Sequence, residues 1–512
     1  MALIVYTILT LCFGCHSRID EKGTTALASI PDQHEIDSMS CETLKEWDIP
    51  GMAIAVVHKG KNVAIAGYGV KQRGGTDLVN EETLFQIASL SKAFTAASIG
   101  TLVEEGKLHW ERPITHYLPN FHLKDPVATE EMTLRDLLSH RTGLPGISRG
   151  CWRLWSDTDR SSDELVRRLA NVDPAYPFRS HFSYNNVAYV IASQIAESTS
   201  GIPWPLFCEQ RIFSPLGMTR TNMSHDRLIH DTNAAFPHLR RSFCEQPIAW
   251  SNWDALAAAG GINSCAKDMA LWLKYCLTLP TPLKESLRPQ TLMEPEGFLN
   301  PIRMPTWPIY VHDQKIVGYG FGWVIYSVGG KTVFFHFGLS DGMQSDCAIV
   351  PEEGLGIAIL TNQEGHLGAS SLLNLLVDRF LGQPPTPWHQ KAHAVVAEIV
   401  RSVEATRKQL KEGRRQRPPT FPAARYVGHY EHPAYGSIWV RLDNGQLTIE
   451  LWNEEKGILK PWDEDRFEIT GLPSGDPLPM LVDFEISQEA RQIEGLHFPE
   501  LGFFPMKKIG VE

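Results

Sequence analysis

Short apolar runs and longer stretches of helical period divide the chain into zones. Residues Ile54–Val57 and Val63–Gly69 are apolar runs on either side of His58-Lys59-Gly60-Lys61, the pattern of a β-hairpin. From Lys92 to Glu105 apolar positions recur at helical spacing, up to Gly106, a residue suited to a C-terminal cap. Residues 110–280 mix helical patterns with many Pro, Trp and His residues. Strand-like runs return at Gly318–Val328, Thr332–Phe337, Cys347–Val350 and Gly356–Thr361. Strands, then mostly helices, then strands is the order expected of an α+β domain whose sheet is assembled from both ends of the segment around a helical insert. Alternating βαβ units would not produce it.

A second zone begins at Gln383-Pro384-Pro385-Thr386-Pro387. Beyond it Val395, Val396, Ile399, Val400 and Val403 recur at helical spacing. Residues Lys391 to Arg417 carry eight Lys or Arg against three Glu, which reads as a solvated bridging helix rather than a partner surface. Pro418, Pro419 and Pro422 close this linker. After Tyr426 the pattern is all-β: Ser437–Leu442 and Gln446–Trp452 are strand-like and joined by the hairpin signal Asp443-Asn444-Gly445. The expected spans are residues 25–382 for the α+β domain, 383–422 for the linker and 423–512 for a small barrel or sandwich.

Composition narrows the class. In 512 residues, 43% are hydrophobic and 21% charged, which excludes a disordered chain, a collagen-like rod and a disulfide-stapled miniprotein. A net charge of −11 argues against nucleic acid as a partner. The apolar run Leu3–Cys15, followed by His16, Ser17 and Arg18, is too short to span a bilayer but has the length of an export-signal core. Cys15 after Gly14 resembles a bacterial lipoprotein cleavage site. The expectation is a leader over residues 1–18, with secretion, a periplasmic or envelope location, and a membrane tether at the N-terminus open. Seven cysteines at irregular intervals remain outside it, which is neither a disulfide framework nor a zinc-ligand pattern. They read as small buried hydrophobes.

Three stretches could hold chemistry. In Phe85-Gln86-Ile87-Ala88-Ser89-Leu90-Ser91-Lys92, Ser89 and Lys92 lie one helical turn apart. A lysine buried beneath an apolar helix loses affinity for its proton and can activate a hydroxyl. In Phe182-Ser183-Tyr184-Asn185-Asn186, an extended backbone would point Tyr184 and Asn186 the same way. A tyrosine beside an ammonium titrates below its usual ~10 and serves as a base, and an asparagine offers a donor and an acceptor to an amide. In Val333-Phe334-Phe335-His336-Phe337-Gly338, His336 and Gly338 share a face, and Gly338 admits close backbone approach. Taken singly, each also reads as an ordinary structural residue: an N-cap serine, an Asx helix entry, a satisfied histidine.

In chain order, Ser89-x-x-Lys92, Tyr184-x-Asn186 and His336-x-Gly338 resemble the serine β-lactamase and penicillin-binding-protein family, in its class C-related branch of esterases and D-amino-acid peptidases. Leu137-Leu138-Ser139-His140-Arg141-Thr142-Gly143-Leu144-Pro145, Gly260-Gly261-Ile262-Asn263-Ser264 and Tyr319-Gly320-Phe321-Gly322-Trp323 add to that likeness, which covers about residues 45 to 382. The resemblance implies a β-lactamase/transpeptidase-like fold, with a central antiparallel sheet flanked by helices. It implies Ser89 as acyl-accepting nucleophile, Lys92 and Tyr184 moving the proton, and Asn186 holding the substrate amide. His336 and Gly338 would line the substrate site, and the backbone N–H groups of Ser89 and Leu339 would form the oxyanion hole. No metal or organic cofactor is implied. Class C β-lactamases carry Lys-Thr-Gly where this chain has His336-Phe337-Gly338, and Arg179-Ser180-His181 replaces a Pro-Gly near the tyrosine. The missing fixed cation turns the expectation from β-lactam resistance towards a peptidase or esterase. A β-lactamase or D-alanyl-D-alanine carboxypeptidase and a non-catalytic ligand-binding or sensor homologue stand as alternatives. Gly338-Leu339-Ser340-Asp341-Gly342 fits the G-x-S-x-G elbow, but the following residues read as turn and strand, not helix. The last 90 residues resemble a lipocalin-like barrel, through Tyr426-Val427-Gly428-His429-Tyr430 and Gly445-Gln446-Leu447. Assembly into a homo-oligomer is open.

Overall fold

A computed structural model describes residues 30–146, 160–239, 247–293, 317–451, 455–472, 478–487, 489, 491–499 and 505–510. The leader expected over residues 1–18 lies outside them.

Among the described residues, ten strands belong to the first part of the chain: β1 (Gly51–His58), β2 (Lys61–Gly69), β3 (Phe85–Gln86), β4 (Asn263–Ser264), β5 (Thr291–Met293), β6 (Val317–Tyr319), β7 (Val324–Val328), β8 (Lys331–Ser340), β9 (Met343–Val350) and β10 (Leu355–Thr361). Eight form one antiparallel sheet in the order β2-β1-β10-β9-β8-β7-β6-β5. The sheet is therefore drawn from both ends of this part, as its hydrophobic pattern predicts. Lys59 (φ 50°) and Gly60 (φ 76°) turn β1 into β2, the two left-handed positions that a two-residue hairpin with the native twist requires.

β1 is covered on both faces. Ala53, Ala55 and Val57 pack with the helices Ser91–Glu104, Asn186–Ser200 and Ala266–Leu277. Met52, Ile54 and Val56 pack with the helices Gln33–Trp47 and Gly368–Phe380. The period-2 side-chain alternation thus feeds two separate cores. The sequence predicts one strand over Gly318–Val328, whereas the structure has two, β6 and β7. Between them Gly322 (φ +75°) lies so close to the Ser91–Glu104 helix that a Cβ there would stand 2.6 Å from the amide nitrogen of Ala93. The break lets this backbone lie directly on the helix.

The 25-residue helix Trp388–Glu412 follows. Its first turns are anchored: Trp388 Nε1 donates to Asp378 (2.6 Å) and His389 Nδ1 accepts from Trp47 Nε1 (2.9 Å). Strands from Gly428–His432 to Met506–Gly510 then close an eight-stranded antiparallel barrel. Its interior is filled by Tyr426, Tyr430, Ile438, Val440, Phe467 and Phe484 among others. Ala434 and Tyr435, in the turn after the first barrel strand, are buried in the core that holds Leu165 and Leu169, and Arg168 Nη1 donates to the Ala434 carbonyl (3.3 Å). Among the described cysteines Cys208, Cys265, Cys276 and Cys347 are buried and free as expected, while Cys41 is exposed.

Candidate active site

Ser89 sits in a single 3-10 turn, Ala88–Leu90, that runs straight into the Ser91–Glu104 helix. The approach is pinned at Ile87, whose N–H donates to Ile262 O (2.9 Å) and whose carbonyl accepts from Ser345 Oγ (2.8 Å). Between anchor and serine, Ala88 is left-handed at φ +45°. For a residue with a Cβ that conformation costs about 1–2 kcal/mol, held here by the surrounding bonds. Gly338 makes the packing feasible, since a Cβ on it would stand 2.1 Å from Ile87 O and 2.4 Å from Ser345 Oγ.

Lys92 is completely buried within a helix whose residues are nearly all buried. Its Nζ lies 3.0 Å from Ser89 Oγ, 2.8 Å from Asn186 Oδ1 and 2.8 Å from the carbonyl of Ala259. Burial holds its pKa well below the ordinary lysine value. Two of the three partners are pure acceptors and take two N–H bonds. In the neutral amine the remaining direction is the lone pair, and it faces the serine hydroxyl.

Tyr184 and Asn186 converge on the same point. Asn185 caps the Asn186–Ser200 helix, its side chain accepting from the amides of Val187 (2.8 Å) and Ala188 (3.3 Å). The extended residue before the helix then places Tyr184 beside Ser89, to which it is hydrogen-bonded, with Lys92 Nζ 4.7 Å from its ring centre. The expected lowering of the tyrosine pKa does not occur: burial pushes it up. Burial of the phenol outweighs the hydrogen bond to Ser89 that favours its ionisation. Tyr184 is a neutral phenol.

His336 is buried, with Nδ1 2.7 Å from the Phe337 carbonyl and Nε2 3.1 Å from Tyr319 Oη. A carbonyl only accepts, so Nδ1 carries the proton and Nε2 accepts from the tyrosine. Burial, then the Lys92 amine, lower its pKa to about 3, so the imidazole is uncharged near neutral pH. Beyond Phe335, the last β8 residue paired with β7, one edge of β8 is open. The Ser340–Met343 pair closes the two-residue hairpin, so by antiparallel alternation the main-chain groups of Leu339 point away from β9, towards that open edge. Ser89, Asn186 and Leu339 are partly solvent-accessible, whereas Lys92, Tyr184 and His336 are buried behind them.

Two members of this cluster carry no signal in spacing. Tyr319, on β6, bonds His336. His140 is fully buried and in ring contact with Tyr184 (4.2 Å), Tyr319 (5.1 Å) and Tyr189 (5.2 Å). Ser340, the serine of the G-x-S-x-G match, lies at the end of β8 before a hairpin, accepts from Trp253 Nε1 (3.0 Å) and is buried. No elbow is present there. Among the described residues no group of three or more His, Cys, Asp or Glu is placed to hold a metal ion.

A partly exposed serine backed by a buried amine and a phenol, on an α+β fold of this topology, defines a serine hydrolase. The chain belongs to the Beta-lactamase family, whose model matches residues 36–379; residues 413–508 match a family described as a domain of unknown function (DUF3471). The chain is 28% identical over 440 residues to an unguisins hydrolase of Aspergillus campestris, covering 82% of this chain and 77% of that protein. It is 28% identical over 330 residues to penicillin-binding protein 4 of Amycolatopsis lactamdurans, covering 62% and 82%. The fold is shared with an octameric penicillin-binding-protein homologue from Pyrococcus abyssi (TM-score 0.57, 20% identity, 93% of this chain and all of that one). It is also shared with a class C β-lactamase from Rhodobacter sphaeroides (TM-score 0.55, 20% identity, 68% and 99%).

Proposed function

We propose that this hydrolase works through an acyl-enzyme on Ser89, with peptides, including those with D-residues, or small esters as substrates. The observation that carries the reading is the three-way contact of Lys92 Nζ, which leaves a lone pair aimed at Ser89 Oγ. The Ser89 proton passes to Lys92 as Oγ attacks the substrate carbonyl carbon. The oxyanion that forms is met by the N–H groups of Ser89 and Leu339, donors of a kind worth about 3 kcal/mol each. The Lys92 proton moves through the neutral Tyr184 hydroxyl to the leaving nitrogen or oxygen as its bond to the acyl carbon breaks. Water then cleaves the ester by the reverse proton path. Asn186, its Oδ1 committed to Lys92, offers its Nδ2 to the substrate amide.

An uncharged His336 beside the site favours an acyl group without a carboxylate at that point over penicillins and D-alanyl-D-alanine termini. A relative named for hydrolysis of unguisins, aligned over 82% of this chain, supports hydrolysis over ligand capture. The octameric fold neighbour supports homo-oligomeric assembly, which light scattering tests. The decisive experiment for the reaction is intact-protein mass spectrometry after brief exposure to a panel of D-peptides and small esters, with nitrocefin alongside. An acyl adduct on Ser89, with turnover of esters or peptides and little of nitrocefin, is expected. An adduct elsewhere, or a single-hit burst without turnover, overturns the reading.

A further inference from the structure

We infer that His140 is a positioning residue that fixes Tyr184 from both sides. The inference rests on the Ser89–Lys92–Tyr184 reading above. The carbonyl of His140 accepts the main-chain N–H of Ser183 (2.7 Å), and its ring Nδ1 accepts that of Asn185 (3.1 Å). The residues immediately before and after the phenol therefore hang on one histidine. Its ring also lies against the Tyr184 ring, at 4.2 Å and 34°.

The backbone of His140 is left-handed, φ +58°, a conformation rare outside glycine but several-fold enriched for Asn, Asp and His. Left-handed geometry lets one residue present both its carbonyl and its ring to the same strand-like segment. The loop reinforces the grip: Ser183 Oγ donates to Leu144 O (2.7 Å) and Asn185 Nδ2 to Pro145 O (2.8 Å).

The tautomer follows. Because Nδ1 accepts, the ring proton is on Nε2, and that atom is buried without a hydrogen-bond partner among the described residues. A histidine present only to fill volume would not spend one nitrogen on a main-chain donor and leave the other unpaired among rings. An apolar residue of equal size would fill the space and strand the Asn185 N–H. The cost of losing the clamp falls on the reaction, since a displacement of about 1 Å in a reacting group lowers rate by about a hundredfold.

The test compares H140G, H140N and H140Q in the full chain, by steady-state hydrolysis of p-nitrophenyl acetate. Glycine accepts the left-handed backbone and keeps the Ser183 bond, but removes the ring. H140G is expected to lose about thirtyfold or more in kcat with KM nearly unchanged. Asparagine also accepts that backbone, and its Oδ1 can stand where Nδ1 stood, so H140N is expected to recover most of the loss. In H140Q the amide reaches towards the Nε2 position and does not serve Asn185, so no recovery is expected. Wild-type kcat in H140G, or an H140N no faster than the better-folded of the other two, overturns the assignment. Should H140G not fold, H140N against H140Q decides it. S89A, run in parallel with a fluorophosphonate probe, separates the two levels: continued labelling of S89A indicts the nucleophile, whereas lost labelling with an indifferent H140G indicts His140 alone.

Discussion

The amine of Lys92 and the side-chain oxygen of Asn186 stand 2.8 Å apart, although one lies in the first turn of the Ser91–Glu104 helix and the other begins a helix 94 residues later. That contact, with the one to Ala259 O, fixes the amine beside the Ser89 hydroxyl. The site's chemistry depends on it.

Replacing Ser89 by alanine should abolish fluorophosphonate labelling and reduce ester turnover by about four orders of magnitude. Ser340→Ala, in the buried serine that accepts from Trp253, should leave labelling intact. Labelling that follows Ser340 instead would relocate the nucleophile.

Lys92→Met should slow acylation by roughly 10²–10⁴-fold. It should also change how stability depends on pH. Burial depresses the folded-state pKa of Lys92, so between that value and the unfolded ~10.4 the unfolded chain binds more protons than the folded one, and stability climbs with pH until ~10.4. From pH 7 to 10 the Tm of the wild type should gain on that of K92M. Parallel curves would mean that the amine keeps its charge in the fold.

Tyr184→Phe removes a neutral relay, not a phenolate, and is expected to lower kcat about 10²-fold or more while KM changes little. Because burial raises the phenol pKa, the wild-type pH–rate profile should show no limb from this group near its ordinary value of ~10. A limb there that vanishes in Y184F would show the tyrosine ionising.

Asp346 is buried on β9 with Ser370 Oγ at 2.8 Å, and burial raises its pKa to about 6. In the unfolded chain it titrates near 3.9, so between ~4 and 6 the folded state binds more protons and stability falls as pH rises through that window. Asp346→Asn mimics the protonated acid. It should match the wild type near pH 4 and exceed it at pH 7.5 by on the order of 2–3 kcal/mol. Denaturant melts at the two pH values check this, and an equal difference at both would contradict it.

Tyr435, only 4% exposed, carries the barrel's turn into the neighbouring core. Tyr435→Ala should cost about 3–5 kcal/mol at that junction and split a single calorimetric transition into two. One unchanged transition would show that the barrel is held elsewhere.

Elements that follow local chemistry were legible in the sequence. The β1–β2 hairpin is written in Lys59-Gly60, the barrel hairpin in Asn444-Gly445, and the Ser91–Glu104 helix in its apolar period. The proposed catalytic trio was legible only as a set in order, since each spacing alone is common. What escaped depends on neighbours distant in sequence. The break between β6 and β7 exists because Gly322 must lie against Ala93. The direction of the Tyr184 shift is set by its burial, which residues far along the chain decide. His140 stood inside a recognised stretch, yet its grip on Ser183 and Asn185 is a matter of backbone handedness, and no periodicity encodes that.

The strand order also has a consequence for synthesis. Met52 on β1 is paired with Thr361 on β10, so one side of β1 stays unfilled until roughly 300 further residues have been made. At the usual ~5–20 residues per second, that is about 15–60 s on the ribosome. Throughout that interval the chain displays Gly51-Met52-Ala53-Ile54-Ala55-Val56-Val57, an uncharged apolar ribbon with an unpaired edge. Yield in a host cell should therefore depend on chaperone supply more than on the final stability of the fold.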